Sequence, residues 1–309
     1  MGRRMGLKVL ITGGTGTVGK SFIKEYYDDY EFYSISRNEA AITELAREFP
    51  NVKCYIGNIC DRDHMINLFC KIKPDVVIHA AAVKHINLAE ENPTSAVEVN
   101  VMGSLNVIKA SVRANVKLTI GISTDKACDP DSVYGYTKSV MEKMFMEYHN
   151  NETKFVCTRF ANVANSNGSV IPFWISESAK GRALKLTDPN MNRLMFTKKE
   201  SAELIYTAMT ESRAIEDSFI LCKIMKNVNL LALAKSLSKL EVKIIGRRPG
   251  EKLNETLISS DELPFTSVAN EYVYISKDVQ SNLFNLGEEH SSANAETMSA
   301  SEMKSLVWD

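Results

Sequence analysis

In the first half of the chain, short, nearly continuous apolar runs alternate with longer stretches whose apolar residues recur at helical spacing. The runs are LKVLIT (7–12), EFYSIS (31–36), VKCYIG (52–57), PDVVIHAAA (74–82), KLTIGIST (117–124) and KFVCTRF (154–160). Between them the spacing predicts helices to about Asp28 and over 38–49, 61–72, 94–115 and 132–149. Strands without polar alternation suit burial on both faces. This strand–helix order predicts an α/β fold, a Rossmann-type doubly wound parallel sheet with helices on both sides.

Beyond about Asn165 the pattern loosens, and Pro172, Gly181, Pro189, Pro249, Gly250 and Pro264 punctuate shorter elements. The expected division is a dinucleotide-binding domain over 1–165 and a smaller C-terminal α/β lobe over 166–309, with 190–215 packing back on the first domain. Ser299, followed three residues later by Glu302, forms a capping-box pattern for a short final helix.

Composition narrows the function classes. The 309 residues are 44% hydrophobic and 24% charged, with a formal net charge of −1. No global field attracts nucleic acid or an anionic membrane, and no apolar run has the length of a bilayer span. Neither partner is expected. Six cysteines without a C-x-x-C pair read as reduced thiols, and five histidines show no metal-ligand spacing. A cytoplasmic protein without a metal is expected.

The first strand runs into Gly13, Gly16 and Gly19, with Thr15, Thr17 and Val18 among them, and a helix follows. Glycines there permit a tight turn and close approach of a pyrophosphate to the helix N-terminus; a plain loop turn is the alternative. The G-x-x-G-x-x-G spacing resembles that of the extended short-chain dehydrogenase/reductases. At the end of the second strand Ser36, Arg37 and Asn38 stand where an acid would bind the ribose of NAD. A hydroxyl and a permanent cation suit a 2′-phosphate, so NADP is expected, against a solvated surface arginine. Asn58 and Ile59 occupy the positions that face adenine in that superfamily, with Asn58 replacing its usual Asp. Ala80, Ala81 and Ala82 let the backbone pass close to a cofactor, or simply pack helix on sheet. Lys84 has the reach for a phosphate or ribose. Asn100, polar within an apolar helical stretch, points to a specific bond.

Residues 123–138 read STDKACDPDSVYGYTK. Tyr134 and Lys138 are one helical turn apart and share a face. An ammonium beside a phenol stabilises the phenolate, which suits Tyr134 as a base for a hydroxyl proton. Asp125 and Lys126 add an acid and an amine at the end of a strand, after Thr124; a solvated ion pair is the bland reading.

Together ITGGTGTVGK, HAAAVKHINLAEENP, STDKACDP, YGYTK, NVANSNGSVIPF, MNRLMF and GRRPGEKLNE closely resemble the configuration-inverting UDP-N-acetylglucosamine 4,6-dehydratases. The resemblance runs from about 8 to 257. STDKA is its most specific stretch, since retaining dehydratases carry Thr-Asp-Glu there. It implies that Tyr134 takes the sugar 4-hydroxyl proton, that Lys126 takes the C5 proton, and that Asp125 protonates the departing 6-hydroxyl. For that role Lys126 must be neutral, and burial with Lys138 nearby is expected to lower its pKa. The implied product is UDP-2-acetamido-2,6-dideoxy-β-L-arabino-hex-4-ulose. The resemblance also implies substrate contacts at Lys84, Ile122, Ser123, Asn162, Asn167, Val170, Arg193, Arg248 and Glu251, a cofactor contact at Val163, and a homo-oligomer, dimer or hexamer. Asn167 departs from the family's arginine, and Ala161 and Asn165 from its glycines. A nucleotide-sugar epimerase or reductase would share the glycine loop and Tyr134–Lys138 without needing Asp125–Lys126. A non-catalytic NADP-binding scaffold is the third reading.

Overall fold

The computed structural model describes residues 6–150, 152–277 and 285–308. Its first half alternates β1 (Lys8–Thr12), α1 (Thr17–Glu25), β2 (Glu31–Ser36), α2 (Glu39–Glu48), β3 (Lys53–Ile56), α3 (Arg62–Ile72) and β4 (Val76–His79). Then come α4 (Ile86–Glu91), α5 (Pro93–Val97), a π-helical turn (Glu98–Gly103), α6 (Ser104–Arg113), β5 (Leu118–Thr124), a 3₁₀ turn (Asp125–Ala127), α7 (Val133–Tyr148) and β6 (Lys154–Phe160). The second half holds β7 (Asn162–Val163), α8 (Val170–Ala179), β8 (Leu184–Leu186), β9 (Asn192–Phe196), α9 (Lys198–Glu211), β10 (Ile220–Lys223), β11 (Asn227–Asn229) and α10 (Leu230–Leu237). It closes with β12 (Val242–Ile244), β13 (Thr256–Ile258), a 3₁₀ turn (Ser260–Phe265), β14 (Thr266–Ala269), β15 (Tyr272–Ile275), β16 (His290–Ser291) and α11 (Ala300–Trp308).

Nine strands form the central sheet in the order β14-β15-β10-β6-β5-β4-β1-β2-β3. From β3 to β10 every pairing is parallel, and β14–β15 adds an antiparallel hairpin at the edge. This is the doubly wound Rossmann order, with its switch point between β1 and β4. Except in the half-exposed edge strand β3, the apolar runs are explained by burial on both faces. Val9 and Ile11 cluster with Phe22 and Ile23 of α1 and Leu204 and Ile205 of α9, whereas Leu10 clusters with Met65, Leu68 and Phe69 of α3 and Val107 of α6. α9 lies on α1, and the rings of Tyr26 and Tyr206 stack 4.8 Å apart.

Two features depart from the sequence expectation. The sheet does not end at residue 165, because β10, β14 and β15 join it from the later segment. Their hydrophobic runs are only four residues long, too short to separate from loop by periodicity. The helix expected over 94–115 is broken by the π turn, which carries Asn100. A second core, formed by Ile171, Trp174, Leu184, Leu233, Leu306 and neighbours, builds the smaller lobe from α8, β8, α10 and α11. The capping box at its last helix forms, with Ser299 N donating to Glu302 and Glu302 N to Ser299.

One buried cation joins the late segment to the sheet. Arg159, on β6, donates to both carboxylate oxygens of Glu142 on α7 (3.1 and 2.8 Å), to both of Glu262 (2.9 Å each) and to the Leu257 carbonyl (2.8 Å). Arg159 and Glu142 are almost wholly buried, so removing one charge strands the other. Arg159→Met is expected to lower the unfolding free energy by about 3–5 kcal/mol in a urea titration. Lys20→Met, which breaks the half-exposed pair with Glu48, changes it by less than about 1 kcal/mol. Equal effects would contradict the assignment.

Candidate active site

β1 and β4 are neighbours at the switch point, beyond whose strand ends a doubly wound sheet binds its ligand in a crevice. Gly13 has φ +77°, and a Cβ on it would lie 2.9 Å from the Ala81 backbone, so only glycine lets the two loops meet. Gly16 begins α1 with no side-chain cap, which leaves the first-turn N–H groups of Thr17, Val18 and Gly19 facing outward for an anion. Thr15 and Ser36 share a 2.6 Å hydroxyl contact that ties the glycine loop to the end of β2. Arg37 is exposed beside it and makes no ion pair among the described residues.

Other expected cofactor residues are engaged elsewhere. Asn38 caps α2 by accepting from Ala41 N (3.1 Å), and Asn58 accepts from Cys60 N (3.1 Å). Ile59 is buried, and its carbonyl is held by Asn106 (3.0 Å). Ala80 and Ala82 line the half-buried loop with Ala81. Asn100 accepts from Val83 N (2.8 Å) and donates to Val83 O (2.9 Å) and Thr137 (3.0 Å). The π turn thus aims its amide at the loop after β4, so Asn100 shapes the crevice through Val83. Lys84 donates to the Asn167 carbonyl (2.8 Å), while Asn167 N donates to Thr17 (3.0 Å). It is the backbone of Asn167 that bridges the two loops.

The chemistry gathers where β5 ends. Ile122 and Ser123 are buried, and the Ser123 hydroxyl has no partner. Thr124 donates to Asp125 Oδ1 (2.9 Å), and Lys126 Nζ donates to the same oxygen (2.9 Å). Asp125 Oδ2 is buried and unpartnered. Ser132 caps α7, which brings in Tyr134 on the first turn and Lys138 on the second. Gly135 makes this approach possible, since a Cβ there would sit 2.3 Å from the Lys126 carbonyl.

The electrostatics differ from expectation at both lysines. Lys138 Nζ donates to the Ile122 carbonyl (2.5 Å), and burial lowers it to about 8. Burial raises the Tyr134 phenol to about 12, and the cation that opposes this is Lys126, assisted by Thr124. Lys138 therefore is not the charge acting on the phenol. Burial also pushes the Lys126 ammonium down, yet Asp125 and Glu255 outweigh it against Arg193 and leave it raised. The expected lowering by burial and Lys138 fails because two carboxylates stand within reach, Glu255 at 3.5 Å.

Glu255 is the residue that pattern reasoning missed. It closes the GRRPGEKLNE stretch, and nothing in its spacing marks it as buried. Arg193, expected at the substrate, instead donates to the carbonyls of Asn192 (2.7 Å), Leu253 (2.9 Å) and Lys252 (2.8 Å) and lies 3.8 Å from Glu255. Arg248 and Glu251 form the expected turn, with Glu251 N donating to Arg248 O (3.2 Å) and Gly250 at φ +72°. This turn packs near Ser132, the cap of α7, and Ile86, the first residue of α4. Asn162 donates to Leu194 O (3.2 Å), Val163 pairs with Phe196 in the β7–β9 ladder, and Val170 packs on the second core.

Residues 9–277 match the family model described as polysaccharide biosynthesis protein. The chain belongs to this family. Among curated members of known name, the chain is 38% identical over 285 residues to the UDP-N-acetylglucosamine 4,6-dehydratase (inverting) of Campylobacter jejuni, covering 88% of this chain and 83% of that protein. It is 32% identical to the UDP-glucose 4-epimerase of Rickettsia massiliae, covering 87% and 83%. The X-ray structure of Pen from Bacillus thuringiensis superposes with a TM-score of 0.90 at 29% identity, covering 97% of this chain and 96% of that one.

The contact of Gly135 with Lys126 generates a test of sign. Alanine is favoured over glycine in helices by about 1 kcal/mol. Gly135→Ala should nevertheless destabilise the protein by about 1–3 kcal/mol, because its Cβ meets a backbone oxygen. A thermal midpoint at or above that of the unmodified protein would contradict the packing.

Proposed function

We propose that this polysaccharide biosynthesis protein is an NADP-dependent UDP-N-acetylglucosamine 4,6-dehydratase that inverts C5. The observation that carries the reading is the Asp125–Lys126 pair, 2.9 Å apart, with Asp125 buried and the Lys126 side chain 14% exposed, near the buried Tyr134. An enzyme that only oxidises and re-reduces C4 has no use for a second acid–base pair.

The uncapped start of α1 fits a dinucleotide diphosphate, and Ser36 and Arg37 fit a 2′-phosphate beside it. Held there, a nicotinamide dinucleotide would supply reversible hydride transfer for C4 and C6 of the sugar. The protein supplies the proton transfers. Tyr134 takes the proton of the 4-hydroxyl, and Lys126 lowers the cost of its phenolate. A shift of one proton from Lys126 to Asp125, across their 2.9 Å contact, creates a neutral amine and a carboxylic acid together. Lys126 then takes the C5 proton made acidic by the 4-keto group, and Asp125 gives its proton to the departing 6-oxygen. As hydride returns to C6, a proton is added to C5 from the face opposite the one that lost it, which inverts C5, and the net change is loss of water. Lys84, Ile122, Ser123, Asn162, Asn167 and Val170 border the sugar and its diphosphate in this reading, and Arg248 and Glu251 meet the nucleotide.

The substrate lobe is assigned to the segment from 166 onward, apart from its strands in the main sheet. We assign the working form as a homo-oligomer in the cytoplasm. Met102, Tyr136 and Val140 stand 50%, 56% and 45% exposed, an apolar strip that a second copy would cover. Among the described residues no helix is long and apolar enough to cross a membrane.

The epimerase reading is favoured by the 32% identity to a named UDP-glucose 4-epimerase. Incubation with UDP-N-acetylglucosamine and NADP separates the two. A product lighter by one water supports the dehydratase, whereas an isomer of unchanged mass supports the epimerase. Tyr134→Phe should slow turnover on the order of 10²–10⁴-fold. Arg37→Asp should weaken NADP more than NAD in a fluorescence titration. Equal affinity of the unmodified protein for both cofactors would remove the argument from Ser36 and Arg37.

A further inference from the structure

The reaction as assigned leaves one buried charge unused. Glu255 is only 3% exposed, and its position is fixed from every side. Ser292 bonds it twice, Oγ accepting from Glu255 N (3.0 Å) and N donating to Glu255 O (2.9 Å). Just upstream, Arg193 grips the carbonyls of Lys252 and Leu253, and just downstream Arg159 grips that of Leu257. Arg193 does not need Glu255 as its hydrogen-bond acceptor, because three carbonyls already serve it. The nearest cation to the carboxylate is Lys126, at 3.5 Å against 3.8 Å for Arg193.

The geometry points to Glu255 as the positioning residue of Lys126, holding its Nζ from the side opposite the catalytic loop and supplying the negative charge that stabilises the ammonium formed as the C5–H bond breaks. The inference rests on the dehydratase reading. In that step the C5–H bond breaks, an N–H bond forms on Lys126, and the electron pair moves toward the 4-keto oxygen. Glu255 gains no proton. Asp125 cannot stabilise the new ammonium while it holds the proton meant for the 6-oxygen. A second carboxylate therefore divides the work, one as acid and one as counter-ion.

Charged and titratable groups face Lys126 from four elements: Asp125 from its own turn, Tyr134 from α7, Arg193 from β9 and Glu255 ahead of β13. Lys252 also acts on Glu255, whose carboxyl is raised by burial with Lys126 as the main opposing influence. Of the two anions beside Lys126, only Glu255 comes from outside the catalytic loop. Its removal leaves Asp125 and Thr124 in place.

Glu255→Gln keeps the shape and removes the charge. In the NADP-loaded enzyme with UDP-N-acetylglucosamine, water loss should fall about tenfold to a hundredfold, with KM nearly unchanged and C4 oxidation retained. A carboxylate raises a neighbouring ammonium, so its loss lowers the Lys126 pKa. The pH limb that reports Lys126 should move to lower pH. A readout free of activity is the pH at which acetic anhydride half-labels Lys126 in the NADP-loaded protein, followed by mass spectrometry. Its midpoint should drop by about one unit or more in Glu255→Gln and recover in part in Glu255→Asp. If the glutamine variant fails to bind NADP, Glu255→Asp is compared with the unmodified protein, and a smaller drop is expected. An unmoved labelling midpoint overturns the proposal, as does a glutamine variant with the original pH profile. Absence of water loss from the unmodified enzyme would sink the dehydratase reading instead, and the labelling shift would still decide the pairing.

Discussion

An ammonium carried to the buried end of a strand must find negative charge or lose its own. Lys126 finds it twice, in Asp125 beside it and in Glu255 from 129 residues further along the chain. That requirement shapes much of the molecule around it. The segment that brings Glu255 is held by Arg193 at Lys252 and Leu253 and by Arg159 at Leu257. Arg159 is in turn balanced by Glu142 on the helix that carries Tyr134 and Lys138. The late chain is therefore tied to the catalytic helix through buried charge as well as through the three strands it adds to the sheet.

The same cluster decides which chemistry the fold can host. A glycine loop at the switch point and a tyrosine with a lysine one turn on are parts shared between oxidising, epimerising and dehydrating enzymes. Asp125–Lys126 is the addition. The pair rests as an ion pair with the amine charged, which stabilises a phenolate at Tyr134 and so favours the first step. In the proposed reaction, proton transfer within the pair prepares both groups for the second step, and one lysine serves both steps in its two protonation states. Lys138, with its amine on the Ile122 carbonyl, is left to hold the floor of the crevice.

Much of this was legible in the sequence. Strands buried on both faces leave runs with no polar alternation, so β1, β2 and β4 to β6 can be read directly, while β3 is a half-exposed edge strand. Gly13, Gly16 and Gly19 announce a turn that only glycine permits, and Tyr134 with Lys138 announces a shared helical face. What escaped had no local signal. The π turn carries Asn100 onto Val83, a contact set by tertiary packing. β10 and β15 are four-residue strands whose partners, β6 and β10, lie far back in the chain, and β14 only completes a hairpin with β15. Arg193 is expected at the substrate from the resemblance, yet the carbonyls that bind it, like the loops that the Asn167 backbone bridges, become visible only on folding. The direction expected for the Lys126 pKa fails for the same reason: burial lowers it, but Asp125 and then Glu255 outweigh burial, and no spacing rule connects Glu255 to residue 126.

The central claim is that Lys126, within this cluster, removes the C5 proton and that the proton returns to the opposite face. The most direct measurement is turnover of UDP-N-acetylglucosamine in heavy water, with NMR of the product ring. The account expects a 4-keto-6-deoxy sugar carrying deuterium at C5 in the L configuration. A product that retains hydrogen at C5, or one with the D configuration, would contradict it.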